Sequence, residues 1–222
     1  MLKSLFYKEW LKTRRLLAGC LTVLVVLNLY CMLNVNHIVE LKGAAHIWLV
    51  AITNDAVFVQ MMQYVPLIIG ILLAVAQYVP EMHQKRIKLT LHLPVSTTRS
   101  VGSMLLYGWV MLLVLYVLSV LLMSVWLHAV FASEIVMHIL LTTLTWYVAG
   151  LLAYQLTAWI CLEPTWKRRA WSIVVAAALL RMCFMTDKPE AYNGMLVVLL
   201  LLALICTTWP FISIQRFREG RQ

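Results

Sequence analysis

Hydrophobic and polar positions along this chain fall into long blocks rather than into a two-residue or 3.6-residue alternation. Six apolar blocks stand out, at about 16–35, 57–79, 101–126, 135–161, 170–186 and 194–214. A helix crossing the hydrocarbon layer needs about 20 mostly apolar residues, because lipid offers no partner to a backbone amide. All six are read as spans, the fifth being the shortest and carrying Arg181. The pattern predicts an all-α membrane protein with six transmembrane helices, forming one membrane domain over residues 1–222. No internal repeat, low-complexity run or long linker divides it.

Ahead of the first block, the pattern changes. Leu2, Leu5, Phe6 and Trp10 recur at helical spacing, with Lys3, Ser4, Lys8 and Lys12 on the remaining positions. Such a stripe predicts an amphipathic helix over residues 1–15, lying in the membrane interface with its lysines toward the headgroups. Two roles fit it: an anchor that orients the first span, or a lever that transmits motion from a cytoplasmic partner.

Composition sharpens this picture. Of the 222 residues, 63% are hydrophobic and only 12% charged, against roughly 45–50% and about 25% in an ordinary globular domain. Mean hydropathy is +0.87. A chain of this size cannot hide that much apolar surface inside itself, so disorder, a disulfide scaffold and a soluble enzyme are excluded. The five cysteines, Cys20, Cys31, Cys161, Cys183 and Cys206, all fall in spans without a CxxC pair and read as packing residues. Leu17-Ala18-Gly19-Cys20 resembles a lipoprotein cleavage box, but Lys12, Arg14 and Arg15 precede it instead of an apolar region. The first span therefore reads as an uncleaved signal anchor.

The net charge of +9 becomes informative once it is distributed. Lys3, Lys8, Lys12, Arg14, Arg15, Lys85, Arg86, Lys88, Arg99, Lys167, Arg168, Arg169, Arg216, Arg218 and Arg221 all lie on one side of the six-span layout. Of the 18 Lys and Arg residues, only Lys42, Arg181 and Lys188 lie on the other. Positive residues mark the cytoplasmic side, so both termini are expected to be cytoplasmic. The expected location is the plasma membrane, the inner membrane in a bacterial cell. Dispersal over four short segments argues against nucleic-acid binding.

The longest cytoplasmic connection is residues 80–100, PEMHQKRIKLTLHLPVSTTRS. Helix–helix connections usually take about 2–8 residues, so this one is long enough to hold a helix of its own. Pro80 is expected to end the second span, Glu81 to sit at the positive end of the next helix dipole, and Pro94 to stop that helix. Ser96, Thr97 and Thr98 are placed to cap the third span. The helix would present Glu81, His83, Lys85, Arg86 and Lys88 to the cytoplasm, either as a grip for a partner or as a positive-inside anchor.

These two segments resemble the permease subunits of type-2 export-class ATP-binding-cassette transporters. Phe6-Tyr7-Lys8-Glu9-Trp10-Leu11-Lys12-Thr13-Arg14 is similar to that family's N-terminal "F-x-K-E-W-x-K-x-R" helix. Glu81 and Leu91-His92-Leu93-Pro94-Val95-Ser96 are similar to its loop Glu and "L-x-L-P-V-S" stretch. Arg86-Ile87 stand where members often have Gly-Thr, and Gly102-Ser103 where they often have a Lys. Members commonly insert a re-entrant helical pair before the last span, for which Asp187–Asn193 leave little room. The resemblance implies a subunit whose 80–100 loop docks on a separate ATP-binding-cassette ATPase, which holds ATP and Mg. It also implies a second permease chain, identical or related, and transport of an unspecified substrate. The chain has no GxxxxGK[ST] phosphate loop, so no ATP site of that kind is its own.

Polar residues inside spans are the remaining candidates. Asn28, Gln60, Gln63, Gln77, His138 and Gln155 are the notable ones; Asn28, Gln60, Gln63 and His138 are the candidates for a substrate path, with helix-packing hydrogen bonds as the alternative. Gln60 and Gln63 lie about one turn apart before Pro66, which could kink the helix and free a carbonyl. Arg181 reads as an outer anchor with Asp187 as its partner. His37, His46 and His128 lack metal-like spacing. Trp48, Tyr78, Trp126, Trp166, Trp171 and Trp209 read as an interfacial aromatic belt. Two rival readings stand beside the permease: a non-transporting assembly or immunity protein, and an intramembrane enzyme. The second lacks H-E-x-x-H, G-x-S-x-G and acidic residues deep within spans.

Overall fold

The computed structural model describes residues 2–42, 59–83, 97–186 and 190–218. Among them the only regular structure is helical. The α-helices are α1 (Leu2–Lys42), α2 (Val65–His83), α3 (Thr97–Val130), α4 (Ser133–Leu162), α5 (Trp166–Met182), α6 (Leu196–Cys206) and α7 (Trp209–Arg218). Short 3-10 turns at Gln60–Met62 and Asn193–Met195 lead into α2 and α6. Among the described residues, five helical segments are long and apolar enough to cross a membrane: Lys3–Leu41, Gln60–Met82, Thr98–Val130, Ser133–Leu162 and Asn193–Arg218. The predicted fifth span differs. It forms α5, whose 17 residues extend about 25 Å, short of the roughly 30 Å hydrocarbon layer.

Side-chain contacts trace the path of the chain. Lys8 of α1 meets Glu81 of α2, Met82 of α2 shares a groove with Cys161 of α4 and Arg169 of α5, and Ser213 of α7 bonds Glu163 after α4. These contacts define one end of the bundle, here called basal. At the opposite, distal end, Val35, Val59, Leu127, Phe131 and Ile139 close around one small cavity, and Phe184 stacks on Tyr64. The helices thus alternate in direction, and the described chain begins and finishes at the basal end.

Several boundaries depart from the expectation. Residues 1–15 are not a separate helix: from Leu2 the 41-residue α1 runs into the first span without a break, because nothing between Arg15 and Leu16 interrupts helical hydrogen bonding. Pro80 does not end the second span either, since α2 contains it and continues to His83. Proline removes the donor to the carbonyl four residues earlier, here Ala76, and next to it the Lys12 ammonium donates to the Gln77 carbonyl at 3.0 Å. Pro66 falls in the first turn of α2, where its missing N–H costs nothing, so it kinks no helix. Residues 84–96, with Lys85, Arg86, Lys88 and Pro94, lie outside the described residues, as do Asp187 and Trp48.

The last span is broken at Thr207-Thr208, ahead of Pro210. A break at membrane depth exposes carbonyls that lipid cannot satisfy. At Thr207 and Thr208 the backbone N–H groups still donate to the carbonyls of Leu204 and Ile205, at 3.1 and 3.0 Å, and the two threonine hydroxyls add second bonds to the same oxygens at 2.6 and 2.8 Å. Glu163 is extended (φ −73°, ψ 124°), as expected of a residue before proline, and this ends α4.

The most extensive helix pair is α2 with α4, and small residues make it possible. A Cβ on Gly70 would collide with the Gly150 carbonyl, and one on Gly150 would lie 2.7 Å from the Pro66 oxygen. Ala74, Ala149 and Ala153 are fully buried along the same contact. Helices in lipid gain little from the hydrophobic effect, so close backbone approach supplies the packing instead. α4 is the central helix, with its buried residues on nearly all sides from Thr145 to Leu156. The lipid-facing sides carry Val114, Val125, Val174 and Val197, all more than half exposed.

Candidate functional site: a neutralised ion-pair cluster at the basal end

Among the described residues, three carboxylates are withdrawn from solvent at the basal end: Glu9, Glu81 and Glu163, each no more than 2% exposed. A bare carboxylate in that position is prohibitively costly, so each must be paired. Lys12 Nζ has three protons, and the cluster uses them fully. It donates to both Glu9 oxygens at 3.2 Å, to Glu81 Oε1 at 2.9 Å and to the Gln77 carbonyl. Lys8 Nζ adds a second contact to Glu81 Oε1, also at 2.9 Å. Two ammoniums thus face two carboxylates, and the cluster is electrically neutral.

From this cluster a hydrogen-bond chain crosses the bundle. Thr13 spends its hydroxyl proton on the Glu9 carbonyl at 2.9 Å, so in the 2.6 Å pair with Tyr107 the tyrosine is the donor. Gln77 Nε2 donates to the Met104 carbonyl of α3 at 2.8 Å, leaving Gln77 Oε1 to accept from Tyr154 of α4 at 2.8 Å. Tyr154 has then no proton left, so Tyr78 donates to it across 3.1 Å. The Tyr154 ring lies where a Cβ on residue 108 would be, which only Gly108 permits. One connected network therefore ties α1, α2, α3 and α4 together.

Glu163 organises a second knot beside it. Ser213 of α7 donates to Glu163 Oε2 at 2.6 Å, Arg216 lies 3.7 Å from the same oxygen, and Arg169 donates to the Glu163 carbonyl at 2.8 Å. Arg169 also stacks over Trp166 at 4.9 Å.

The sequence-predicted residues divide sharply. Lys8, Glu9, Lys12 and Glu81 converge. Glu81 is not presented to the cytoplasm, nor does it begin a helix; it points inward from the last turns of α2 and is held by lysines. Phe6 packs edge-on to Tyr107 at 5.6 Å. Trp10 and Arg14 are exposed on the outer face of α1. His83 is the last residue of α2, its side chain outside the described residues. Asn28 is buried, donating to Ser119 at 2.9 Å, which in turn meets the Tyr147 hydroxyl at 2.9 Å. Gln60 is exposed and Gln63 half-buried. His138 pairs with Glu190 at the distal end. These four polar residues do not meet. Tyr78 does not join the aromatic belt, being fully buried, whereas Trp166 and Trp171 are 79% and 72% exposed.

Thr13, Tyr107, Tyr154, Glu163 and Ser213 were not singled out from sequence. Glu163 had one available signal, a carboxylate immediately before a helix-ending proline. The others are common residue types whose partners lie far away along the chain. No family model, curated protein or solved structure matches this chain.

Proposed function

We propose that this chain is the membrane-spanning subunit of an ATP-driven exporter of the type-2 ATP-binding-cassette kind. In this reading it crosses the plasma membrane six times with both termini in the cytoplasm. It works with a second permease chain and a separate ATPase that carries ATP and Mg, and no cofactor belongs to this chain. The observation that carries the reading is the attachment of Glu81, at the root of the 80–100 segment, to Lys8 and Lys12 of α1. A force applied to that segment by a partner would reach α1 through two ion pairs. It would reach α3 and α4 through Gln77, whose amide bonds Met104 and Tyr154. The alternating helix directions, with both described ends basal, also support six crossings, the α5 leg being bounded by Arg169 basally and Phe184 distally. The resemblance of residues 6–14 and 91–96 to the family motifs adds the ATPase.

The test begins with native purification of the full chain and identification of what accompanies it. An ATP-binding-cassette ATPase is expected, and its binding should weaken when Lys85 and Arg86 are both replaced by Glu. Glu81→Gln should leave that binding intact but uncouple ATP turnover from the permease. Absence of such an ATPase, or turnover indifferent to all three substitutions, would sink the reading.

A further inference from the structure

The lysines of α1 divide by direction. Lys12 turns inward to Glu9 and Glu81, and Lys8, 41% exposed, reaches over to Glu81. Lys3 lies on the opposite face with Tyr7, Trp10 and Arg14, at positions i, i+4, i+7 and i+11 of one helix stripe. Tyr7 is 63% and Trp10 43% exposed. Lys3 and Arg14 have no carboxylate partner among the described residues.

This outer stripe forms one wall of an open groove of about 430 Å³, lined by Lys3, Phe6, Tyr7, Trp10, Tyr107 and Met111. Its two ends differ in chemistry. One is cationic. The other reaches Met111, well inside α3, which begins at Thr97; at a rise of about 1.5 Å per residue that is roughly 20 Å along the helix, at hydrocarbon depth. From there the surface continues over exposed Val110 and Val114. A groove with an ammonium at one mouth, aromatic walls and an apolar floor matches an amphiphile with a negative head and an acyl tail.

We infer that this groove binds an anionic phospholipid, with the headgroup phosphate at Lys3 and an acyl chain lying against Tyr107 and Met111. The site rests on the membrane location alone and does not depend on the exporter reading. Charge complementarity selects the occupant: a zwitterionic lipid would meet the same apolar walls but would not be preferred by the cation.

Trp10 supplies the probe, as the difference in emission between the full chain and its Trp10→Phe variant. The chain is reconstituted in phosphatidylcholine vesicles containing brominated phosphatidylglycerol or brominated phosphatidylcholine as quencher. The Trp10 component is expected to be quenched at about fivefold lower mole fraction of the phosphatidylglycerol, the preference one cation near a membrane surface confers. Lys3→Gln should abolish that preference. Lys167→Gln removes an exposed cation from α5 and should preserve it. Equal quenching by both lipids would overturn the site, as would an equal loss in the Lys167→Gln variant. Quenching by neither lipid would also overturn it, because a protein surface would then cover the groove.

Discussion

Carboxylates hold the bundle together at both ends, but by opposite physics. At the basal end Glu81 is 1% exposed and bonded by Lys8 and Lys12. At the distal end Glu190 is 38% exposed and meets His138, itself 29% exposed, at 2.7 Å. Glu190 also accepts from Asn193 at 3.1 Å and donates its backbone N–H to Thr142 at 3.2 Å. It adopts a left-handed backbone with φ 56°, which an ordinary residue disfavours. The distal contacts pin a turn that water can reach. The basal contacts neutralise carboxylates that water cannot reach, even though the Lys8 side chain that pairs with Glu81 is itself 41% exposed. Contacts of similar length therefore differ in consequence because solvent can substitute for a missing partner of Glu190 but not for one of Glu81.

The largest expected effect comes from breaking the basal neutrality. Lys12→Met would leave Glu9 and Glu81 buried with Lys8 alone, a loss of about 3–5 kcal/mol as for other broken buried pairs. Reversible unfolding in mixed micelles measures it; a loss below that of an exposed pair would contradict the solvent argument. Next comes the α2–α4 contact, which underlies both ends. Gly150→Ala would push a methyl against the Pro66 carbonyl, costing about 1–3 kcal/mol as overpacking does. Gly194→Ala, with nothing within 4 Å, is the control that should be nearly silent.

An effect of similar size is expected from Tyr154→Phe. It leaves the ring over Gly108 but removes the donor to Gln77, costing about 1–3 kcal/mol for a buried acceptor left unbonded. Tyr78→Phe should cost less, because Tyr154 keeps its own bond to Gln77. Reversal of that order would disprove the donor assignments. The smallest effect belongs to the distal end. Glu190→Gln should lower stability by about 0–1 kcal/mol, as for partly exposed pairs, read in the same micelle assay. A loss as large as that of Lys12→Met would erase the distinction between the two ends.

Much of the architecture was legible because lipid imposes a simple rule on sequence. The fourth span, predicted at 135–161, is α4 at Ser133–Leu162, since its apolar run is bounded by polar residues on both sides. The junction at 15/16 was not legible. The amphipathic stripe of residues 2–12 and the apolar run after it are both helical, and no local signal tells one continuous helix from two. The inward turn of Glu81 was also hidden, since its partners lie about 70 residues earlier and a loop carboxylate flanked by basic residues reads locally as solvated. The four polar candidates for a path failed to converge for the same reason: span position gives depth, but not the direction a side chain faces.

Apolar block lengths alone determined that this is a helical chain built for a membrane, because an unsatisfied amide in hydrocarbon leaves almost no alternative. The placement of Lys and Arg supplied the expected orientation. Only the tertiary structure decided which charges are spent inside the bundle and which remain to meet something else. Lys8 and Lys12 are separated from Lys3 by a few residues in sequence, yet they turn to opposite faces of one helix. That assignment depends on where α2 and α3 pack against α1, and such packing is a property of the assembled bundle rather than of any segment within it.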